Sequence, residues 1–218
     1  MQSLVIAIDG PSGSGKSSTA RLVASRLGLA YLDTGSMYRA IALGCLGGGL
    51  LEPPDREGII GFTMRARLDL RTDPDDPGIV LNGVDVTADI RAPEVSAQVS
   101  TVAVIPQVRA TLSAQMRRIV AGRGRIVAEG RDITTVVCPD ADVRVLLVAD
   151  PAVRMARREA EIAGLTPDQV ADQVVRRDRD DATVSQFEMP APGVTLIDST
   201  YLSLEEVADA VIALVPRK

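Results

Sequence analysis

One stretch decides the fold of this 218-residue chain: Leu4-Val5-Ile6-Ala7-Ile8-Asp9-Gly10-Pro11-Ser12-Gly13-Ser14-Gly15-Lys16-Ser17. Residues 4–8 form an apolar run, which predicts a buried strand of a parallel sheet. Residues 10–17 match the pattern G-x-x-x-x-G-K-[ST]. Residues 19–26 place small and apolar side chains on one face, which predicts a helix. Because strand, glycine loop and helix follow in this order, we interpret the stretch as a phosphate-binding loop and not as an ordinary glycine-rich turn.

Each residue type in this loop has a task in phosphate binding. Glycines let backbone N–H groups turn toward phosphate oxygens, and the helix behind them adds its positive end. Lys16, the only lysine besides Lys218, supplies a compact charge to the β and γ phosphates. The Ser17 hydroxyl is a candidate ligand for the Mg²⁺ that accompanies ATP. The loop residues predicted to bind ATP are Gly10, Pro11, Ser12, Gly13, Ser14, Gly15, Lys16, Ser17 and Ser18.

The composition argues against several classes of function. The chain carries a formal net charge of −5 and has only two Phe, three Tyr and no Trp, which makes it a poor candidate for nucleic-acid binding. It has no histidine, and Cys45 and Cys138 fit no metal-binding spacing, so we interpret both cysteines as core residues. Neither a signal peptide nor an apolar run of membrane-spanning length is apparent. We therefore expect a cytoplasmic protein without nucleic-acid or membrane partners.

The remaining patterns predict a doubly wound α/β fold with a five-stranded parallel sheet. A small antiparallel insert interrupts it, with an alternating strand over Arg65–Arg71 and a hairpin that turns at Asn82-Gly83. Further strands of the parallel sheet are predicted at Leu29–Leu32, Arg125–Ala128, Val143–Val148 and Val194–Ile197. Helices are predicted at Ser36–Leu46, Pro93–Val104, Gln107–Ala121 and Pro151–Ala163, and from Thr166-Pro167 to about Arg177. Ser36 is predicted to cap the first of these helices. A final helix is predicted to begin with a capping box at Ser203–Glu206.

Four motifs taken together resemble the bacterial cytidylate kinase family. They are Ile8–Ser17, Leu32–Arg39, Glu129–Asp132 and Arg176–Asp178. The resemblance spans nearly the whole chain and implies transfer of the γ-phosphoryl group of ATP to CMP or dCMP, giving CDP or dCDP. It also implies a single domain with three parts: a P-loop core (1–50, 101–152 and 186–218), an insert for the acceptor nucleotide (51–100) and a helical lid (153–185). We expect a monomer.

The resemblance also assigns roles to individual residues. It implies catalytic roles for Lys16, Arg131, Arg158 and Arg177, and ATP contacts for Arg154 and Arg158. It implies CMP contacts for Asp33, Ser36, Tyr38, Arg39, Ser100, Arg109, Gly130, Arg131, Asp132, Arg177 and Asp181. In this scheme Ser100, Arg109 and Asp132 read the cytosine base. The alternatives are solvated arginines on helix faces, a core role for Tyr38, helix capping by Asp33 and Ser36, and a structural ion pair between Asp132 and a neighbouring arginine.

The residues themselves are consistent with such chemistry. An acceptor phosphate is already mostly ionised at neutral pH, so transfer of a phosphoryl group to it needs no general base. The enzyme has to position the two phosphates and neutralise their negative charge. Arginine forks match phosphate oxygens in pairs. Two departures from the family pattern remain: Ala182 follows Asp181 where an arginine is usual, and Ile133-Thr134 replaces a usual glycine.

Two competing functions are also compatible with a phosphate-binding loop. A small-molecule hydroxyl kinase, acting on a shikimate-like or sugar-acid alcohol, would need a carboxylate base, and Asp33 is a candidate. A regulatory ATP-binding switch is the other. The chain contains neither the N-K-x-D pattern of GTPase switches nor the L-S-G-G-Q pattern of transporter ATPases. The insert and the paired arginines Arg154 and Arg158 favour the nucleotide kinase.

Overall fold

A parallel sheet of five strands forms the centre of the molecule. The computed structural model describes residues 3–161 and 189–216. The strands are β1 (Leu4–Asp9), β2 (Ala30–Asp33), β6 (Arg125–Gly130), β7 (Val143–Val148) and β8 (Thr195–Asp198). Their order in the sheet is β2-β6-β1-β7-β8, and every neighbouring pair is parallel. The predicted fold class is confirmed.

Helices cover both faces of this sheet. Side chains alternate along a strand, so Ile6 and Ile8 of β1 enter one apolar cluster and Ala7 enters another. The first cluster includes α1 (Lys16–Leu27) and α7 (Leu204–Ala213). The second includes α2 (Thr34–Gly47), α3 (Arg56–Arg65), α4 (Pro93–Ala103) and α5 (Pro106–Arg123). The helix α6 (Pro151–Glu161) follows β7, and short turns of 3₁₀ and π helix occupy Asp89–Arg91 and Ile133–Val137.

A second sheet lies within residues 51–100. It is antiparallel, with β3 (Leu68–Arg71), β4 (Gly78–Leu81) and β5 (Val84–Asp85) in that order. Asn82 and Gly83 connect β4 to β5 with φ of 51° and 87°, the left-handed values that an Asn-Gly hairpin turn requires. The predicted strand Arg65–Arg71 is wrong in its first residues. Arg65 ends α3, a helix that was not predicted and that Asp55 caps by accepting from the Gly58 amide.

The cap of α2 is Asp33, which was considered as a cap, and not Ser36, which was favoured. Asp33 is the N-cap, and its side chain accepts a hydrogen bond from the Ser36 amide at 3.0 Å. Ser36 lies within the first turn, where its hydroxyl donates to the Asp33 carbonyl. The reason is that β2 leads directly into α2, so the last residue of the strand is also the cap. The capping box of Ser203 and Glu206 at α7 is confirmed.

Other expectations concern the chain beyond these elements. The helix predicted from Thr166-Pro167 and most of the predicted lid lie outside the described residues. The division into core, insert and lid stays a prediction. Among residues 3–161 and 189–216, no helix has the length and apolar character needed to cross a membrane.

Candidate active site

A cavity of about 630 Å³ opens at the carboxyl ends of the parallel strands. Ligands of doubly wound sheets bind at this edge, and the volume falls within the range of small-molecule sites. The phosphate loop, the β2–α2 junction and the end of β6 line one part of it. The antiparallel sheet, α4, α5 and α6 contribute the rest. One cavity therefore joins the phosphate loop to the segment in which an acceptor was expected.

The phosphate loop has the conformation that its glycines allow. Gly13 and Gly15 have φ of 75° and 86°. A Cβ at Gly13 would also lie 2.5 Å from the Arg154 carbonyl oxygen, so the close approach of α6 requires glycine here. Lys16 is the first residue of α1, and its Nζ donates to the Pro11 carbonyl oxygen at 3.2 Å. The loop residues Ser12, Gly13, Gly15, Lys16, Ser17 and Ser18 line the cavity, whereas Gly10, Pro11 and Ser14 do not.

Glu129 is a buried carboxylate at the floor of this cavity and was not among the predicted site residues. It lies one residue before the end of β6 and is 2% exposed. Its Oε1 accepts from the Ser17 hydroxyl at 2.7 Å and from the Tyr31 hydroxyl at 3.2 Å. Burial raises the pKa of Glu129 to about 7, the Asp33 carboxylate adds to the rise, and Lys16 opposes it. An acidic residue within a buried strand was the signal in the sequence, because packing alone does not favour one there.

Most of the predicted acceptor residues lie around the same cavity. Those that line it are Asp33, Ser36, Tyr38, Arg39, Arg109, Gly130, Arg131 and Asp132. Ser100 is buried and does not line it, although Val99 and Ala103 on the same helix do. Arg39 donates to the Ser96 hydroxyl at 2.6 Å and to the Ile90 carbonyl at 3.2 Å, which ties α2 to α4 and to the turn before it. Arg177 and Asp181 lie outside the described residues.

Arg109 and Asp132 form an ion pair in the cavity wall. Their side chains are 18% and 10% exposed, so water screens the pair less than it would screen a surface pair. Arg109 also donates to the Ala103 carbonyl at 3.3 Å. The pair anticipated as an alternative to base reading therefore exists. Both side chains still line the cavity, so reading of the base stays a prediction.

The basic helix α6 packs against the phosphate loop. Arg154 donates to the Ser12 carbonyl at 3.0 Å and does not line the cavity, whereas Arg158 does. Arg157 was not among the predicted site residues. It donates to the Ser199 hydroxyl at 3.0 Å and to the Ser199 carbonyl at 2.8 Å. The buried Ser199 hydroxyl donates in turn to the Ser14 carbonyl at 3.0 Å. Arg157 thus belongs to the support of the loop.

Cationic side chains outnumber acidic ones in the cavity lining, although the whole chain is acidic. Besides the predicted cations, Arg21, Arg71 and Arg91 line it and were missed. The sequence offered no signal for them, because α1, the antiparallel sheet and the 3₁₀ turn meet only in the folded molecule. A local cluster of arginines suits a ligand rich in phosphate.

The glycine loop on a doubly wound sheet, with its lysine in a cationic cavity, defines a P-loop phosphotransferase. A family model described as cytidylate kinase matches residues 6–217. The chain belongs to the cytidylate kinase family. A protein named cytidylate kinase from Cutibacterium acnes is 60% identical over 214 residues, which cover 98% of this chain and 96% of that protein.

Two further comparisons agree with this family and fold. A protein named cytidylate kinase from Corynebacterium glutamicum is 42% identical over 217 residues, with 97% of this chain and 94% of that protein covered. The crystal structure of an uncharacterised protein from Eubacterium ventriosum ATCC 27560 aligns with a TM-score of 0.55 at 10% identity, covering 99% of each chain. That likeness concerns the fold alone.

Proposed function

We propose that this enzyme transfers the γ-phosphoryl group of ATP to CMP and dCMP, producing CDP and dCDP. The observation that carries the proposal is the single cavity that joins the phosphate loop to the Arg109–Asp132 pair. Membership of the cytidylate kinase family supports the same reaction. Phosphoryl transfer needs the two phosphates held in line and their charge neutralised, and a cavity lined by arginines supplies both.

ATP binds at the phosphate loop in this proposal. The backbone N–H groups of the loop and Lys16 hold its β and γ phosphates, and Arg158 reaches the transferred group from α6. Ser17 would hold Mg²⁺, since Mg²⁺ takes hydroxyl and carboxylate oxygens and the Ser17 hydroxyl lies 2.7 Å from a Glu129 oxygen. When bound, the ion neutralises phosphate charge.

CMP occupies the acceptor end. Arg39 and Arg131 hold its phosphate, and the ionised phosphate oxygen attacks without a general base. Asp132 accepts from the N4 amino group of cytosine, while Arg109 donates toward N3 and O2. Uracil presents a carbonyl to Asp132 and an N–H to Arg109, so the pair disfavours UMP by repulsion.

A hydroxyl kinase with Asp33 as its base gains no support. One carboxylate oxygen of Asp33 is occupied as the cap of α2, and family membership favours the nucleotide acceptor. We further propose that the enzyme acts as a cytoplasmic monomer. Membership of the cytidylate kinase family supports ATP, CMP and dCMP as its ligands.

A coupled ADP-release assay with ATP–Mg²⁺ tests the reaction. The acceptor panel is CMP, dCMP, UMP, AMP, shikimate and gluconate. We expect turnover with CMP and dCMP, a kcat/KM for UMP lower by about 100-fold or more, and none with the two alcohols. Preferred turnover of shikimate or gluconate would instead identify a hydroxyl kinase, and ATP hydrolysis unaffected by every acceptor would indicate a switch.

A further inference from the structure

Asp9 is a buried carboxylate that has no part in the reaction described above. It is the last residue of β1, is 3% exposed and does not line the cavity. Its Oδ1 accepts from the Ile133 amide at 2.7 Å. Its Oδ2 accepts from the Thr134 amide at 2.9 Å and from the Thr134 hydroxyl at 2.6 Å. Both oxygens are thus committed to two consecutive residues that lie more than 120 positions away in the chain.

Those two residues begin the turn that carries Asp132. The π-helical turn Ile133–Val137 follows Asp132 directly, and its first N–H groups have no partner within the turn. Asp9 supplies that partner. The Asp132 carbonyl accepts from the Val136 amide at 2.8 Å and from the Val137 amide at 3.2 Å. The turn therefore holds the backbone of Asp132 through these hydrogen bonds. Arg109 holds the carboxylate of the same residue.

The other end of this connection is the phosphate loop. Asp9 precedes Gly10, whose amide donates to the Gly130 carbonyl at 3.3 Å, and Asp9 is paired in register with Gly130. One residue therefore links the start of the ATP-binding loop to the segment that carries Arg131 and Asp132. An apolar side chain would fill the same space, but it would leave the Ile133 and Thr134 amides buried without an acceptor.

The burial of Asp9 is unfavourable in itself. Desolvation raises the pKa of Asp9 above its ordinary value, the charge of Asp132 adds to the rise, and the hydrogen bonds from Thr134 and Ile133 oppose it. Retaining a carboxylate here stabilises one arrangement of the turn at a cost in solvation.

We propose that Asp9 is a positioning residue that holds Asp132 in the geometry needed to recognise the acceptor base. It acts through the turn and touches neither substrate. This inference rests on the proposed function, because it assigns to Asp132 the reading of cytosine.

The test compares Asp9→Asn with a matched control, Asp142→Asn. Asp142 also accepts a backbone amide of β1, that of Val5 at 2.8 Å, but outside the cavity lining. In Asp9→Asn a side-chain NH₂ group replaces one carboxylate oxygen and faces a backbone N–H of the turn. The turn then loses one hydrogen bond, and the two donors repel each other. We expect the KM for CMP to rise about 10-fold and the CMP-to-UMP ratio of kcat/KM to fall about 10-fold, with the KM for ATP within twofold. The control variant Asp142→Asn should keep the wild-type KM for CMP, KM for ATP and CMP-to-UMP ratio.

Three results would overturn the proposal. The first is a folded Asp9→Asn variant with a wild-type CMP-to-UMP ratio. The second is an equal rise of the KM for ATP and CMP, which a merely structural role would produce. If Asp9→Asn does not fold, the variant Thr134→Val is used, because it removes only the hydrogen bond from the Thr134 hydroxyl. We expect its CMP-to-UMP ratio of kcat/KM to fall about fivefold. An unchanged ratio in this variant would be the third result.

The failure of the proposed function is recognised separately. If the wild-type enzyme does not phosphorylate CMP, the reaction assignment fails whatever Asp9 does. Amide hydrogen exchange then still measures the positioning directly. Residues 133–137 should exchange at least 10-fold faster in Asp9→Asn than in wild type, and unchanged exchange there would show that Asp9 does not hold the turn.

Discussion

At the scale of single residues, Lys16 carries the strongest prediction. Its ammonium lines the cavity and donates to the Pro11 carbonyl at the surface of the loop. Lys16→Ala should lower kcat by a factor of about 100 or more, because it removes a charge from the transferring phosphates. The free energy of unfolding, measured by urea denaturation, should change by about 1 kcal/mol or less. Retention of more than about a tenth of kcat would contradict the assignment.

Glu129 predicts a pH dependence of stability in the absence of nucleotide and Mg²⁺. Its pKa is about 7 in the folded protein against an ordinary 4.5. Between these values the folded state binds more protons than the unfolded state, so this residue lowers the free energy of unfolding as pH rises from about 4.5 to about 7. Glu129→Gln removes that contribution. We compare the free energies of unfolding of the wild type and of Glu129→Gln, measured by urea denaturation at several pH values. The wild-type value minus the variant value should fall by roughly 1–3 kcal/mol between about pH 4.5 and about pH 7. The same dependence of the free energy of unfolding on pH in both proteins would contradict the prediction.

The sequence revealed Lys16 but not Glu129 or Asp9, and the difference has a physical cause. A phosphate loop is local, so eight consecutive residues specify both its backbone and its charge. The tasks of Glu129 and Asp9 depend on partners such as Ser17 and Thr134, more than 100 residues away. Only the parallel pairing of β1 with β6 brings these residues together.

At the scale of elements, α6 makes a prediction that separates support from catalysis. Arg157 binds Ser199 and so holds the loop, whereas Arg158 lines the cavity. Arg157→Ala should lower the free energy of unfolding by about 1–3 kcal/mol and raise the KM for ATP. Arg158→Ala, the neighbouring comparison, should lower kcat by about 100-fold, because Arg158 lines the cavity. Thermal and urea denaturation with steady-state kinetics measure both variants. The same pattern of losses in the two would refute this division of roles.

Strands were predicted more reliably than the ends of helices. The run Val143–Val148 was predicted with the bounds that the structure has, because a buried parallel strand is a continuous apolar run. The helix α3 was missed, since its apolar positions are interrupted by Gly61 and Thr63 and few of its residues are buried. The cap of α2 was misplaced because a strand that leads straight into a helix leaves no loop residue to signal the start.

At the scale of the whole molecule, the cavity has two parts with different origins. The phosphate loop and the ends of the parallel strands could be placed from the sequence, because doubly wound sheets bind ligands at that edge. The part lined by Arg71, Thr87 and Arg91 could not, since it depends on how the antiparallel sheet packs against α2. Fold and phosphate site were therefore predictable, and the shape of the acceptor end was not.

The last prediction concerns ligand-induced protection of the predicted lid, residues 153–185. Its described start, α6, directs Arg154 and Arg157 to the loop backbone and Arg158 to the cavity. Bound phosphates add negative charge in the cavity, where Arg158 can pair with it, so ATP and CMP together should hold the segment against the core. A bisubstrate analogue should slow amide exchange across 153–185 by about 10-fold or more, while exchange in α7, which packs in the apolar cluster of α1, stays unchanged. Equal exchange with and without the analogue would show that this segment is not a lid.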